Sequence, residues 1–259
     1  IMARILAPSD YGTIGMISIF LAISQSFMDS GFGIALIQKQ NRTETDFSTV
    51  FYFNIAMATL CYLILFLLAP YVASFFRTPI LCAVLRVQSI NLLINSCMQI
   101  HVSKLTIDLD FKALAKRSII ATLLSGICGI IFAYCGFGVW ALVFQGLIST
   151  AINLIFVLFY IRWKPRWEFS CSSFKELGSF GSRLLVSGLL HTIYTNMTTL
   201  VIGRYFSSKE LGFYNRGTTF ATLPVDTMNG ILQKVTFPIL SKIQDDDARL
   251  IHVYRKYIC

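Results

Sequence analysis

The sequence is short of charge. Asp, Glu, Lys and Arg make up 14% of its 259 residues, where an average soluble domain carries about 25%. Apolar residues reach 55%, and mean hydropathy is +0.66. So little charge does not cover the surface of a soluble globule this large. The deficit is also patterned. No charged residue falls between Phe47 and Phe76, or between Ser118 and Ile161. A bilayer-spanning helix needs about 20 apolar residues. The first run holds one span, and the second holds two, divided at Gly136-Phe137-Gly138. Several such runs in one short chain exclude a soluble core and predict an all-α, polytopic transmembrane helix bundle.

Other absences narrow the function. The cysteines, at 61, 82, 97, 128, 135, 171 and 259, form no CxxC pair and no zinc spacing; most lie in apolar runs, where cysteine behaves as a small hydrophobe. There is no Walker loop, no GxSxG and no paired-carboxylate motif. Asp245-Asp246-Asp247 resembles a metal-binding run, but it lies in a loop before Arg249 and reads as solvated or as a helix start. No enzymatic activity, cofactor or metal is expected. There is no signal peptide and no low-complexity linker.

The apolar pattern predicts seven spans, at 11–36, 47–75, 80–103, 115–135, 139–161, 180–203 and 211–240. The third carries Arg86, and the last is interrupted by Pro224, Asp226 and Lys234. The connecting segments alternate in charge. Lys39, Arg42, Lys104, Lys112, Lys116, Arg117, Arg162, Lys164, Arg166, Lys175, Lys242, Arg249, Arg255 and Lys256 fall on one side; Arg4, Arg77, Arg204, Lys209 and Arg216 fall on the other. Cytoplasmic loops retain Lys and Arg, so the side with fourteen cations reads as cytoplasmic. The same reading accounts for the net charge of +9 without a nucleic-acid partner. Trp163 and Trp167, on either side of Pro165, suit the headgroup layer. Ile1 is not a start methionine, and the expectation is a piece of a longer protein, lacking a helix before residue 1 and several after 259.

An internal repeat supports that expectation. Ile1-Met2-Ala3-Arg4-Ile5-Leu6-Ala7-Pro8-Ser9-Asp10-Tyr11-Gly12 resembles Val201-Ile202-Gly203-Arg204-Tyr205-Phe206-Ser207-Ser208-Lys209-Glu210-Leu211-Gly212 at an offset of 200. Arg, an acid and Gly recur in register at the same point, a span exit on the non-cytoplasmic side. Counting the missing first helix, the interval from the start of one lobe to the start of the next covers six helices. An even number keeps both lobes parallel, as in transporters whose site lies between repeats.

The motifs resemble a known family. Ala3-Arg4-Ile5-Leu6-Ala7-Pro8-Ser9-Asp10-Tyr11-Gly12 is similar to its "ARxLxPxDFG" loop, and Asp29-Ser30-Gly31-Phe32-Gly33-Ile34-Ala35-Leu36-Ile37-Gln38 to "DxGxGxALIQ". Gly136-Phe137-Gly138-Val139-Trp140-Ala141-Leu142-Val143 resembles "GFGVWALV", and Arg162-Trp163-Lys164-Pro165 resembles "RWxP". Leu211-Gly212-Phe213-Tyr214-Asn215-Arg216 and Phe237-Pro238-Ile239-Leu240-Ser241 continue the match. The family is the Wzx-type flippases for O-antigen and exopolysaccharide repeat units, within the MOP exporter superfamily. The resemblance implies a two-lobe transporter fold, only part of it present. Residues 1–165 would be the N-terminal lobe without its first helix, and 166–259 the start of the C-terminal lobe. It implies a multi-pass protein of the bacterial inner membrane that moves undecaprenyl-diphosphate-linked oligosaccharide for lipopolysaccharide or exopolysaccharide biosynthesis. Implied partners are that lipid-linked substrate, membrane lipids, and the polysaccharide polymerase and chain-length proteins.

A diphosphate crossing ~30 Å of hydrocarbon needs a polar path, and guanidinium forks two donors onto phosphate. Charged groups within spans are costly and face protein or water. Arg86, Arg183 and Lys234 are therefore candidate substrate ligands, and Asp29 and Asp226 candidates for coupling or gating. Against these stand a snorkelling Arg183, an ion pair for Arg86 and a helix-end role for Asp29. Asp226 follows Pro224, where a broken helix would expose carbonyls. Gln88, Asn91, Asn95 and Gln99 are spaced three, four and four apart and share a helical face. They read either as a path for sugar hydroxyls or as interhelical hydrogen bonds. Arg86 points to roughly the opposite side, so the two compete for the cavity face. The alternative function is a multidrug or other small-molecule antiporter of the same superfamily, which the intramembrane cations disfavour. A membrane-embedded glycosyltransferase or polymerase would need longer loops or an acidic cluster.

Overall fold

A computed structural model describes residues 2–29 and 31–242; the side chains of residues 3, 29, 176, 179, 180, 183, 184, 226, 228, 229 and 231–242 lie outside that description. The segment holding Asp245, Asp246 and Asp247 therefore also lies outside the described residues. The described chain is helical throughout its ordered elements: α1 (Met2–Ile5), α2 (Pro8–Asp29), α3 (Phe32–Gln38), α4 (Glu44–Phe75), α5 (Ile80–Gln88), α6 (Ile90–Ile107), α7 (Phe111–Tyr134), α8 (Val139–Tyr160), α9 (Cys171–Tyr205) and α10 (Ser208–Lys242). Six stretches among the described residues are long and apolar enough to cross a bilayer: Pro8–Gln38, Glu44–Phe75, Ile80–Ile107, Phe111–Tyr134, Val139–Tyr160 and Leu185–Tyr205. They correspond to the first six predicted spans.

Local chemistry sets the helix ends. Thr43 caps α4 through a reciprocal capping box with Asp46. Asp110 accepts from the Ala113 amide at the start of α7, and Ser170 accepts from the Ser173 amide at the start of α9. The α7–α8 turn needs Gly136 and Gly138, whose φ values of 79° and 55° lie in the region glycine tolerates.

Three boundaries differ from expectation. The first span is divided at Gly31, with φ 73°, and resumes as α3. The third tightens at Ser89, whose hydroxyl donates to the Arg86 carbonyl at 2.9 Å, and becomes α5 and α6. Finally, α10 continues through Pro224 without interruption. The broken helix expected before Asp226 is not formed, so exposed carbonyls there give no reason for a coupling role. Membrane helices tolerate proline when neighbouring groups satisfy the freed backbone, and α4 likewise runs through Pro70.

The main core packs Met16 and Ile17 of α2 against Ala58, Cys61 and Leu65 of α4, Leu81 and Leu85 of α5, and Val139 and Val143 of α8. A second cluster at the cation-rich end joins Phe32, Leu36, Phe47, Val50, Ile100 and Leu177. The outward faces of α4, α7 and α8 carry exposed Leu60, Leu67, Tyr71, Leu123, Ile127 and Phe159. In water that surface would be a liability, whereas hydrocarbon accepts it. The cation-rich loops gather at one end, joined by Lys104–Glu44, Thr45–Glu168 and Tyr160–Asp110 contacts.

Candidate functional site

The copies of the repeat are equivalent in structure. α1 ends at Ile5 and α9 at Tyr205; α2 starts at Pro8 and α10 at Ser208. The Ala7 amide donates to the Asp10 carboxylate at 3.1 Å, and the Ser207 amide donates to the Glu210 carboxylate at 2.9 Å. The same acid-capped turn thus opens both helices at an offset of 200. Fully exposed Glu210 titrates below the usual carboxylate range because the Ser207 amide and hydroxyl donate to it.

Two cavities lie along α2 and α9, the larger also bounded by α3 and α6 and the second also by α10, and each mixes polar with apolar lining residues. The larger, about 740 Å³, is lined by Ser26, Gly31, Gly33, Gln99, Ser103, Thr106, Ser187, His191 and Thr192, among others. The second, about 490 Å³, is lined by Tyr11, Gly15, Ser18, Thr195, Asn196, Thr199, Asn215, Arg216, Thr218, Thr219 and Thr222, among others. Both run along the same pair of helices. On α2 the nearest lining residues of the two are Ser18 and Ser26, eight residues or about 12 Å apart at 1.5 Å per residue. At the edge of the larger cavity that faces the second, the Ser26 and Thr192 hydroxyls meet at 2.8 Å.

Arg216 is the described cation in this groove. Its guanidinium carbon lies 3.5 Å from the centroid of the Tyr11 ring. Its Nε is buried without a hydrogen-bond partner among the described residues, as is the Tyr11 hydroxyl. A guanidinium held flat on an aromatic face keeps its in-plane donors for another acceptor.

The predicted site residues separate. Gln88, Asn91 and Asn95 line a cavity of about 230 Å³ beside α2 with Leu21, Ala22 and Gln25. There the Gln88 and Asn91 side-chain oxygens are buried without partners among the described residues. Gln99 instead lines the larger of the two cavities along α2 and α9 and accepts from Asn54 Nδ2 at 3.0 Å. The stripe therefore serves two cavities, and one member also makes an interhelical hydrogen bond. Arg86 lies on the other side, as its register predicts. Its guanidinium carbon is 4.2 Å from the Phe66 ring centroid on α4, and Nε donates to the Phe66 carbonyl at 3.3 Å. None of the described cavities is lined by it. The side chains of Asp29, Arg183, Asp226 and Lys234 lie outside the described residues.

Sequence reading missed the polar faces of α9 and α10. Thr192, Thr195, Asn196 and Thr199 repeat at spacings of three, one and three, as do Asn215, Thr218, Thr219 and Thr222. Attention to uncharged residues would have found both. A third unforeseen feature is the extended segment 161–170, which lies over the cation-rich ends of α4 and α6. Trp163 Nε1 donates to Glu44, the Arg166 amide to Ser48 at 3.0 Å, and the Ser170 amide to Thr49 at 3.1 Å. Trp163 packs inward, while Trp167 stays 95% exposed beside Tyr52.

A family profile described as "Polysaccharide biosynthesis protein" matches residues 1–259. Among curated relatives, the teichuronic acid biosynthesis protein TuaB of Bacillus subtilis is 30% identical over 227 residues, covering 85% of this chain and 46% of that protein. The succinoglycan biosynthesis transport protein ExoT of Rhizobium meliloti is 26% identical over 249 residues, covering 96% and 50%. The lipopolysaccharide biosynthesis protein WzxC of Escherichia coli is 23% identical over 256 residues, covering 96% and 51%. The chain thus spans about half the length of these relatives. No solved structure matches it. With its crossing helices and a match over its whole length, the chain is a multi-pass membrane protein that belongs to the polysaccharide biosynthesis protein family, among Wzx-type sequences.

Proposed function

We propose that this chain is part of a flippase that carries undecaprenyl-diphosphate-linked oligosaccharide across the bacterial inner membrane, supplying lipopolysaccharide or exopolysaccharide synthesis. It acts by transport and not by catalysis. Residues 1–165 belong to one lobe and 166–259 open the second. The observation that carries the reading is the pair of cavities along α2 and α9, with Arg216 over the Tyr11 ring in the second. Hydroxyls and amides suit sugar hydroxyls, and a guanidinium whose Nε has no partner among the described residues suits an anion such as a diphosphate. The relatives' names, which include a transport protein for succinoglycan, point to the same class of cargo. Polysaccharide polymerase and chain-length proteins are the partners this role calls for.

Deletion of the full gene is the test. Undecaprenyl-linked repeat units are expected to accumulate in the cytoplasmic leaflet while surface glycan disappears. Normal surface glycan with altered drug tolerance would overturn the reading in favour of an antiporter.

A further inference from the structure

The two copies of the repeat touch each other through their glycines. A Cβ on Gly12 would overlap the Ser208 carbonyl oxygen and lie 3.1 Å from Ser208 Cα; a Cβ on Gly212 would overlap the Pro8 carbonyl oxygen and lie 3.2 Å from the Gly12 nitrogen. Pro8 and Ser208 are themselves equivalent at the offset of 200. Each copy therefore presents its glycine to the other's first helical residue. This is an isologous contact, with a local pseudo-twofold axis between α2 and α10. One turn further in, a Cβ on Gly15 would overlap the Asn215 amide. Backbones this close exclude any side chain at positions 12 and 212.

The contact lies at the end of the bundle away from the cation-rich loops. It shares its turns with the cavity around Arg216, which is lined by Tyr11, Gly15 and Asn215. It is made of backbone surface: dispersion and weak Cα–H···O contacts, with no ion pair among the described residues to break. Such a surface seals when the lobes meet and separates without leaving a buried charge. We propose that the Gly12–Gly212 contact is the gate that closes the Arg216 cavity on the non-cytoplasmic side and parts when that side opens. The proposal rests on the reading of this chain as part of a two-lobed exporter.

The test uses the full-length protein in cells, with Thr199→Cys as a reporter inside the cavity. A membrane-impermeant maleimide is added from outside, and labelling at position 199 is resolved by peptide mass. Gly12→Ala and Gly212→Ala are each expected to raise the labelling rate several-fold, and by similar factors because the contact is symmetric. Parental rates at parental protein level would overturn the gate. A second arm covers alanine variants that fail to accumulate. In a Gly15→Cys, Asn215→Cys background, oxidation is expected to join α2 to α10 and to lower labelling at position 199 several-fold, with recovery on reduction. Absence of the disulfide, or labelling indifferent to it, would overturn the proposal. The readout is conformational and needs no substrate. A labelling change with no build-up of lipid-linked glycan after gene deletion would sustain the gate and remove the flippase reading.

Discussion

The ammonium of Lys104 sits 3.0 Å from Glu44 Oε1, across the cation-rich ends of α6 and α4. It also lies 4.4 Å from the Phe47 ring centroid and 4.7 Å from that of Trp163. Glu44 in turn accepts from the Trp163 indole. These two residues thus bind the segment that leads to α9 onto α4 and α6.

Loss of this clamp should show as lost stability. Lys104→Ala is expected to cost about 1 kcal/mol, the upper range for a partly exposed pair plus its ring contacts. Trp163→Ala should cost more, because it removes packing on Phe51 and His101 as well as the donor to Glu44. Trp163→Phe should fall between the parent and Trp163→Ala. Thermal unfolding in detergent checks the order.

Arg216 offers the sharpest site test. Arg216→Ala is expected to reduce surface glycan strongly at unchanged protein level. Arg216→Lys should restore only part of it, since an ammonium keeps the charge but loses the flat, forked donor face on Tyr11. Full export by Arg216→Ala would remove Arg216 from the substrate path.

The two faces of the α5–α6 span can be separated. Arg86 packs on Phe66 while Gln99 lines the larger cavity along α2 and α9. Gln99→Leu is therefore expected to lower export, and Arg86→Ala to leave it near the parental value. Gln99→Leu also loses the bond from Asn54, worth about 0.6 kcal/mol on average in membranes. Thermal unfolding alongside the glycan measurement separates the two effects. The reverse export order would return the substrate role to Arg86.

A pH effect is expected at the start of α7. The Ala113 amide and then the Tyr160 hydroxyl donate to Asp110 and hold its carboxyl below the usual carboxylate range. A depressed carboxylate stabilises the fold above its unfolded value, about 3.9, and that contribution is lost as pH falls through the lower folded value. The Ala113 amide should therefore be protected from hydrogen exchange at neutral pH and lose that protection only below about pH 4. In Asp110→Asn this acid-dependent step should vanish.

Much of this was legible from the chain itself. The charge-free runs located the spans because hydrocarbon tolerates no free charge and little exposed backbone, whatever the packing. The offset of Gly12 and Gly212 was visible as a repeat because equivalent turns need the same capping acid, at Asp10 and Glu210. Register also set Arg86 opposite the Gln and Asn stripe. Charge drew attention to Arg86, yet the cation in the described groove is Arg216, which loop counting had assigned to topology. The Thr and Asn faces of α9 and α10 went unread because uncharged polar residues leave hydropathy nearly unchanged.

Sequence alone determined the solvent, the helical class and which end carries the cations, since these follow from the free energy of transferring each segment into hydrocarbon. Only the tertiary structure decided which polar faces meet. The division of the stripe between two cavities, the stacking of Arg216 on Tyr11 and the glycine contact of α2 with α10 depend on how helices remote in sequence pack. That packing is set by the summed shape of many side chains and close backbone approaches, which no single stretch of sequence contains.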